Sequence, residues 1–188
     1  MKVIAVSGSP RSAGNTERAC QIALDPISGA GLETELISLA GKDVQPCIAC
    51  GGCEKAPRCT AHKDDFEPIF ERIKTSRGLI LASPVYFGFA TGTICNFMHR
   101  LGYVVRRHEN FLSRQIGGAI AVARRAGHNA TFAQLSMFFA INDMIQVGST
   151  YWNVALAREP GQIDNDDEAI QTLTRFGENI AWLIKKIN

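Results

Sequence analysis

The chain has 188 residues, 46% of them hydrophobic and 20% charged, with a formal net charge of +2. That is an ordinary globular composition with enough chain for one domain and a real core. It shows no Lys/Arg-rich block, which argues against a nucleic-acid footprint. The opening run MKVIAVSGSP has too few apolar residues before its Gly-Ser-Pro turn for a signal peptide or a membrane span, so a cytoplasmic location and no membrane partner are the default expectations.

Lys2 to Ser7 (KVIAVS) is a short apolar run that predicts a buried parallel strand. A Gly-rich loop follows, and a helix is expected from Asn15–Thr16. Glu33 to Leu39 predicts a second strand, and Gly41 to Lys63 is a cysteine-bearing loop. Asp64 is expected to cap the helix DDFEPIFERIKTS, which puts Phe66, Ile69, Phe70 and Ile73 on one face. Gly78 to Ser83 predicts a third strand, ended by Pro84. Thr91 to Arg106 predicts a helix with Ile94, Phe97, Met98, Leu101 and Val105 as its stripe. Ile116 to Ala123 is a fourth strand, Ala130 to Asn142 a helix, and Met144 to Val147 a short fifth strand. Ser149 to Asn165 is expected to be a long irregular loop, and Asp166 to Lys186 the closing helix.

Five strands alternating with helices predict an α/β three-layer fold with a parallel sheet, in a single domain over residues 1–188. In such sheets ligands bind beyond the carboxyl ends of the strands, near the topological switch point. The unusual segments each follow a strand: Ser9–Asn15, the cysteines, Val85–Ala90 and Arg124–Asn129. They are therefore expected to gather at one edge.

The first of these, Gly8 to Thr16 (GSPRSAGNT), joins a strand to a helix. Free backbone N–H groups at a helix start, with the hydroxyls of Ser9, Ser12 and Thr16, can cradle a phosphate. Arg11 adds a full positive charge and a forked donor. No Lys follows the last glycine, so the loop is not Walker A, and it is not G-x-G-x-x-G. A phosphate monoester suits it better than a pyrophosphate; the plainer alternative is a helix cap after a tight turn.

Cys47, Cys50, Cys53 and Cys59 lie within the loop at 46–60 in the spacing C-x2-C-x2-C-x5-C. Clustered cysteines in a reducing compartment bind metal or do redox chemistry more often than they form structural disulfides. The compact spacing suits a 4Fe-4S cluster, while a tetrahedral zinc and free redox-active thiols stay open as alternatives. Gly51 and Gly52 let the backbone fold tightly around the sulfurs. Cys20 and Cys95 fall on predicted helices and read as inert, small apolar residues. His62, His99, His108 and His128 show no metal-ligand spacing.

GSPRSAGNT, the cysteine loop and SPVYFG (Ser83 to Gly88) together resemble the NAD(P)H-dependent FMN reductase family of flavodoxin-like fold. The four close cysteines resemble those of its iron–sulfur flavoprotein subgroup. The likeness runs from the first strand to the last helix. It implies an FMN phosphate on Ser9, Arg11, Ser12, Asn15 and Thr16, and an isoalloxazine ring lined by Pro84, Val85, Tyr86, Phe87 and Gly88. Arg124, Arg125, Ala126 and Gly127 would approach the ring from the other side, although Ala126 and His128 depart from the glycine-rich segment of many relatives. Aromatic side chains and exposed amides are what a flat ring with one apolar and one polar end needs. Arg124 and Arg125 can stabilise charge on a reduced flavin or bind a cofactor phosphate, or can simply be solvated.

The resulting expectation is an FMN oxidoreductase passing electrons between FMN and a 4Fe-4S cluster, with no side chain acting as acid or base. The alternatives are a cluster-free NAD(P)H-dependent flavin or quinone reductase and a non-enzymatic electron carrier. Carriers are usually acidic, which the near-neutral charge opposes. NAD(P)H is a possible donor, and small redox molecules or a carrier protein are expected partners. The resemblance also implies a homodimer or homotetramer, with the segment around Tyr151 and Trp152 available for the contact.

Overall fold

The computed structural model describes residues 1–187. Its sheet runs in the order β2-β1-β3-β4-β5, every neighbouring pair parallel. The strands are β1 (Lys2–Ser7), β2 (Glu33–Ser38), β3 (Gly78–Pro84), β4 (Ile116–Ala123) and β5 (Ile145–Gln146). This is the flavodoxin-type order of a doubly wound sheet, whose switch point lies between β1 and β3.

The expected long loop after β5 holds a sixth strand, β6 (Val154–Leu156), which pairs with Ala121–Ala123 of β4. The fifth place in the sheet is therefore filled in two pieces. β5 covers the amino end of β4 at Ile116 and Gly117, and β6 covers its carboxyl end. β6 is three residues long, below the length at which alternation is legible, and this is why the segment reads as a loop. Met144 and Val147 lie outside β5.

The helices are α1 (Asn15–Gly29), α2 (Phe66–Lys74), α3 (Gly92–Arg107), α4 (His128–Ile141) and α5 (Asp167–Ile187). Side chains alternate across each strand, and both faces of the sheet are covered. Val3, Ala5, Ile80, Ile120 and Val122 face one core with α1 and α5. Ile4, Val6, Leu79, Leu81 and Ala119 face the other with α2, α3 and α4. At Gly177 on α5 a Cβ would fall 2.0 Å from the Ala23 carbonyl of α1, so only glycine permits the two helices to pack this closely. No helix is long and apolar enough to cross a membrane among the described residues.

Candidate functional site

A cavity opens beyond the carboxyl ends of β1, β3, β4 and β6. It has a volume near 320 Å³ and is lined by Ser9, Arg11, Asn15, Thr16, Pro84, Val85, Tyr86, Arg124 and Arg158, among others. The register explains why these segments meet. Ser7 of β1 stands beside Ala82 of β3, Pro84 beside Val122 of β4, and Val122 beside Ala155 of β6. The residues that follow each strand are thus delivered to a common rim.

The loop after β1 is held by bonds from its main-chain groups to a neighbouring strand and to nearby side chains. Gly8 N–H donates to the Ala82 carbonyl at 2.8 Å, and Thr91 Oγ1 donates to the Gly8 carbonyl at 2.6 Å. A Cβ at Gly8 would lie 2.5 Å from Ile94 Cβ, so the loop sits tight on the start of α3. Ser9 Oγ accepts from the Arg11 amide at 3.1 Å, and Ala13, at φ 51°, donates its amide to Glu17 at 2.8 Å. Asn15 ties the loop to the distal chain, donating to the Glu159 carbonyl at 2.8 Å and accepting from the Ile163 amide at 3.4 Å. No side chain caps the amino end of α1 at Gly14. Gly14, Asn15 and Thr16 at that end line the cavity, which also carries Arg11, Arg124 and Arg158. These features fit a phosphate monoester.

Not every residue expected at this site lines the cavity. Ser12, Phe87, Gly88, Arg125, Ala126 and Gly127 lie outside its walls, while Ala157, Arg158 and Pro160 join them. Tyr86 and Phe89 form a small antiparallel bridge, with Phe87 (φ 52°) and Gly88 (φ 88°) at its tip. Phe87 projects fully into solvent there. Gly127, at φ 86°, caps α4 and would bring a Cβ within 3.1 Å of Gly88 Cα. It supports the aromatic turn from behind. His128 Nδ1, next along, is buried without a partner. Arg158 carried no sequence signal beyond its place in an unusually long segment.

The cysteine loop makes a second cavity. Cys47, Cys50, Cys53 and Cys59 all line a space of about 130 Å³, together with Arg100, Tyr103, Val104 and Arg107 of α3. The loop does not join the other three at the strand ends. It lies along the carboxyl half of α3, and its cavity shares no lining residue with the first. All four thiols are free; Cys50 is exposed and the other three are half-buried. Burial pushes the Cys53 thiol up despite the nearby Arg107 charge. Among the described residues, no three histidine, cysteine or acidic side chains converge on a point that one metal ion would occupy.

The loop's foundation is a buried ion pair. The side chains of Arg100 and Asp64 are 1% and 2% exposed. Arg100 Nη1 donates to Asp64 Oδ2 at 2.5 Å and Nη2 to Oδ1 at 3.0 Å, a bidentate fork. Nη1 also reaches the Gln45 carbonyl at 3.3 Å, Nε donates to Cys59 Sγ at 3.3 Å, and the guanidinium lies 4.2 Å from the centre of the Phe66 ring. Asp64 was expected as a helix cap; it sits one residue outside the cap position. It does accept from the Phe66 amide at 3.3 Å, but it also takes the Gln45 amide at 2.9 Å and the whole Arg100 fork. Burial pushes the Asp64 carboxyl up, but its hydrogen bonds from Arg100, Gln45 and Phe66 outweigh that and hold it below the ordinary carboxylate range.

Further anchors are the Asn96 amide on the Val44 carbonyl at 3.0 Å, His62 on the Pro46 carbonyl at 3.1 Å, and Arg107 paired with Glu54 at 2.7 Å. Cys20, as expected, is fully buried; burial first, and then the nearby Glu17 charge, raise its thiol well above the ordinary value. Cys95 is half-buried rather than buried, within 3.4 Å of the Gln134 amide nitrogen.

Residues 1–159 match the NADPH-dependent FMN reductase family. An iron-sulfur flavoprotein of Methanocaldococcus jannaschii is 37% identical, spanning all of this chain and 99% of its own length. A second iron-sulfur flavoprotein of the same organism is 32% identical over 95% of this chain and 96% of its own. Among solved structures, a flavodoxin from the domain Archaea superposes with a TM-score of 0.66 at 16% identity, covering 98% of this chain and 99% of its own. The strand order, the anion cradle after β1 and these matches agree: the chain belongs to the NADPH-dependent FMN reductase family and has the flavodoxin-like fold.

Proposed function

We propose that this chain is an iron–sulfur flavoprotein, an oxidoreductase that holds FMN in the cavity at the strand ends and a 4Fe-4S cluster on Cys47, Cys50, Cys53 and Cys59. The observation that carries the reading is that all four thiols line one cavity, in a chain whose other cavity is an arginine-bearing anion cradle. The compact C-x2-C-x2-C-x5-C spacing supports a 4Fe-4S cluster over a single zinc. The names of the relatives point the same way.

When bound, FMN supplies paired acceptance and single release of electrons, and the cluster supplies a one-electron store. The protein's own part is positional. Thr16, Ser9 and the open amino end of α1 would take the phosphate, with Arg11 neutralising its charge. Pro84, Val85 and Tyr86 would form the wall for the ring, and Arg124 and Arg158 would offset negative charge gathering on a reduced cofactor. Arg100 and Asp64 form a buried ion pair beneath the cysteine loop. The half-exposed Tyr151 and Trp152, their rings 5.0 Å apart, would suit a contact between copies of the chain.

The test is anaerobic purification and reconstitution, with flavin, iron and sulfide assayed per chain and the visible spectrum followed on reduction. One FMN with about four iron and four sulfide per chain supports the reading. FMN without iron makes the chain a cluster-free flavin reductase. Steady NAD(P)H oxidation without a partner protein separates either enzyme from a pure carrier. Absence of flavin uptake overturns the assignment of the first cavity.

A further inference from the structure

We propose that Arg100, locked by Asp64, sets the reduction potential of the cysteine-bound cluster through its hydrogen bond to Cys59, an inference that rests on the cluster reading above. Arg100 is a positioning residue in this view: it bonds the sulfur of one ligand and does not itself ligate the cluster.

The guanidinium is constrained on every side. Its two terminal nitrogens are taken by Asp64 and by the Gln45 carbonyl, and its face rests on Phe66. The remaining edge, Nε–H, is thereby aimed at Cys59 Sγ, 3.3 Å away. An ion pair kept only for stability has no need of that aim. Buried ion pairs are in any case weak stabilisers, often improved by apolar replacements of similar volume. The neighbours of Arg100 on the buried face of α3 are apolar already: Phe97, Leu101 and Val104. Arg107 lines the same cavity but is 47% exposed and paired with Glu54, so water and salt screen its charge.

Hydrogen bonds to ligand sulfur withdraw electron density and favour the reduced cluster; buried positive charge acts in the same direction and buried negative charge against it. The native pair is neutral as a whole, so what it presents to the sulfur is an N–H dipole. Removing either half leaves a bare buried charge, of opposite sign in the two cases, at low local dielectric. Asp64→Asn leaves the guanidinium uncompensated and moves the cluster midpoint upward. Arg100→Gln leaves the carboxylate uncompensated and moves it downward. Arg100→Met combined with Asp64→Leu removes both charges and the N–H donor, and moves it downward by less than Arg100→Gln.

The experiment is an anaerobic redox titration of the cluster, followed by its visible and electron paramagnetic resonance signals, in wild type and these variants. FMN, iron and sulfide per chain are measured in parallel as checks on folding and loading. Opposite shifts for Asp64→Asn and Arg100→Gln support the inference, since a structural role would not produce opposite signs. If Arg100→Gln fails to fold, the upward shift of Asp64→Asn against the downward shift of the double variant carries the same sign test. Fully loaded variants with an unchanged midpoint, or with shifts of one sign, overturn it while the cluster reading stands. A wild-type chain that takes up FMN but no iron or sulfide overturns the cluster reading itself.

Discussion

The cradle after β1 and the loop after β2 both leave the sheet as irregular chain, yet different forces hold them. In the first, main-chain groups are the anchored partners, bonded to the Ala82 carbonyl of β3 and to the side chains of Thr91, Ser9 and Glu17, while the Asn15 side chain reaches the Glu159 carbonyl. The close packing contact at Gly8 is set by the absence of a side chain. The second has only a single short 3-10 turn, Gly52–Glu54, and is fastened by side chains of α3 and by Asp64 just ahead of α2, chiefly the Arg100–Asp64 pair. The first is therefore probed by adding a Cβ at Gly8, and the second by unbalancing the charge of one buried ion pair.

The largest expected break is on the cysteine side. Arg100→Gln strands a buried carboxylate and should cost about 3–5 kcal/mol in denaturant unfolding, whereas the double apolar replacement should recover most of it. The same pair gives a pH dependence. Asp64 is held below the ordinary carboxylate pKa of about 3.9. Its contribution is therefore present above that value and is lost as pH falls through the lower folded value. Urea midpoints between pH 6 and 2, for wild type against Asp64→Asn, read this directly: the variant should lose less on acidification.

Next in size is Gly8→Ala, whose methyl would meet Ile94 at 2.5 Å. It should destabilise by about 1–3 kcal/mol through overpacking and weaken FMN binding in fluorescence titration, while leaving iron content unchanged. Arg11→Ala should weaken FMN by about 10–100-fold, the loss of roughly 1.5–3 kcal/mol from a charged hydrogen bond. Riboflavin, which lacks the phosphate, should bind both forms alike; an equal loss for both ligands would place Arg11 elsewhere than on the phosphate. Smallest is Arg18→Ala, which removes an exposed pair with Asp164 at 2.7 Å and should shift stability by less than about 1 kcal/mol.

What the sequence disclosed follows the same division. The strands of the parallel core and the Gly8–Thr16 loop were readable because buried apolar runs and strand–Gly–helix junctions leave local patterns. β6 was not, because three residues carry no period. Arg100 was hidden for a different reason. It falls on the stripe of α3 beside Phe97 and Val104, but a cation within a helix reads as solvent-facing unless its partner is known. That partner, Asp64, lies 36 residues away and looks like an ordinary cap. Arg124 was legible from its place after β4, whereas Arg158 depends on β6 to bring it to the rim. Phe87 was expected in a wall from its aromatic surroundings; in the fold the left-handed turn at Phe87–Gly88 leaves that ring exposed.

The bond from Asn15 to the Glu159 carbonyl spans 144 residues of chain. It bears on when the cradle can be finished. During synthesis the β1 loop emerges well before the residues that brace it, and before α5, which packs across α1. A nascent chain that has not yet exposed residues 159–163 carries the Gly8–Thr16 loop without its brace. Flavin capture should follow the emergence of that segment rather than precede it.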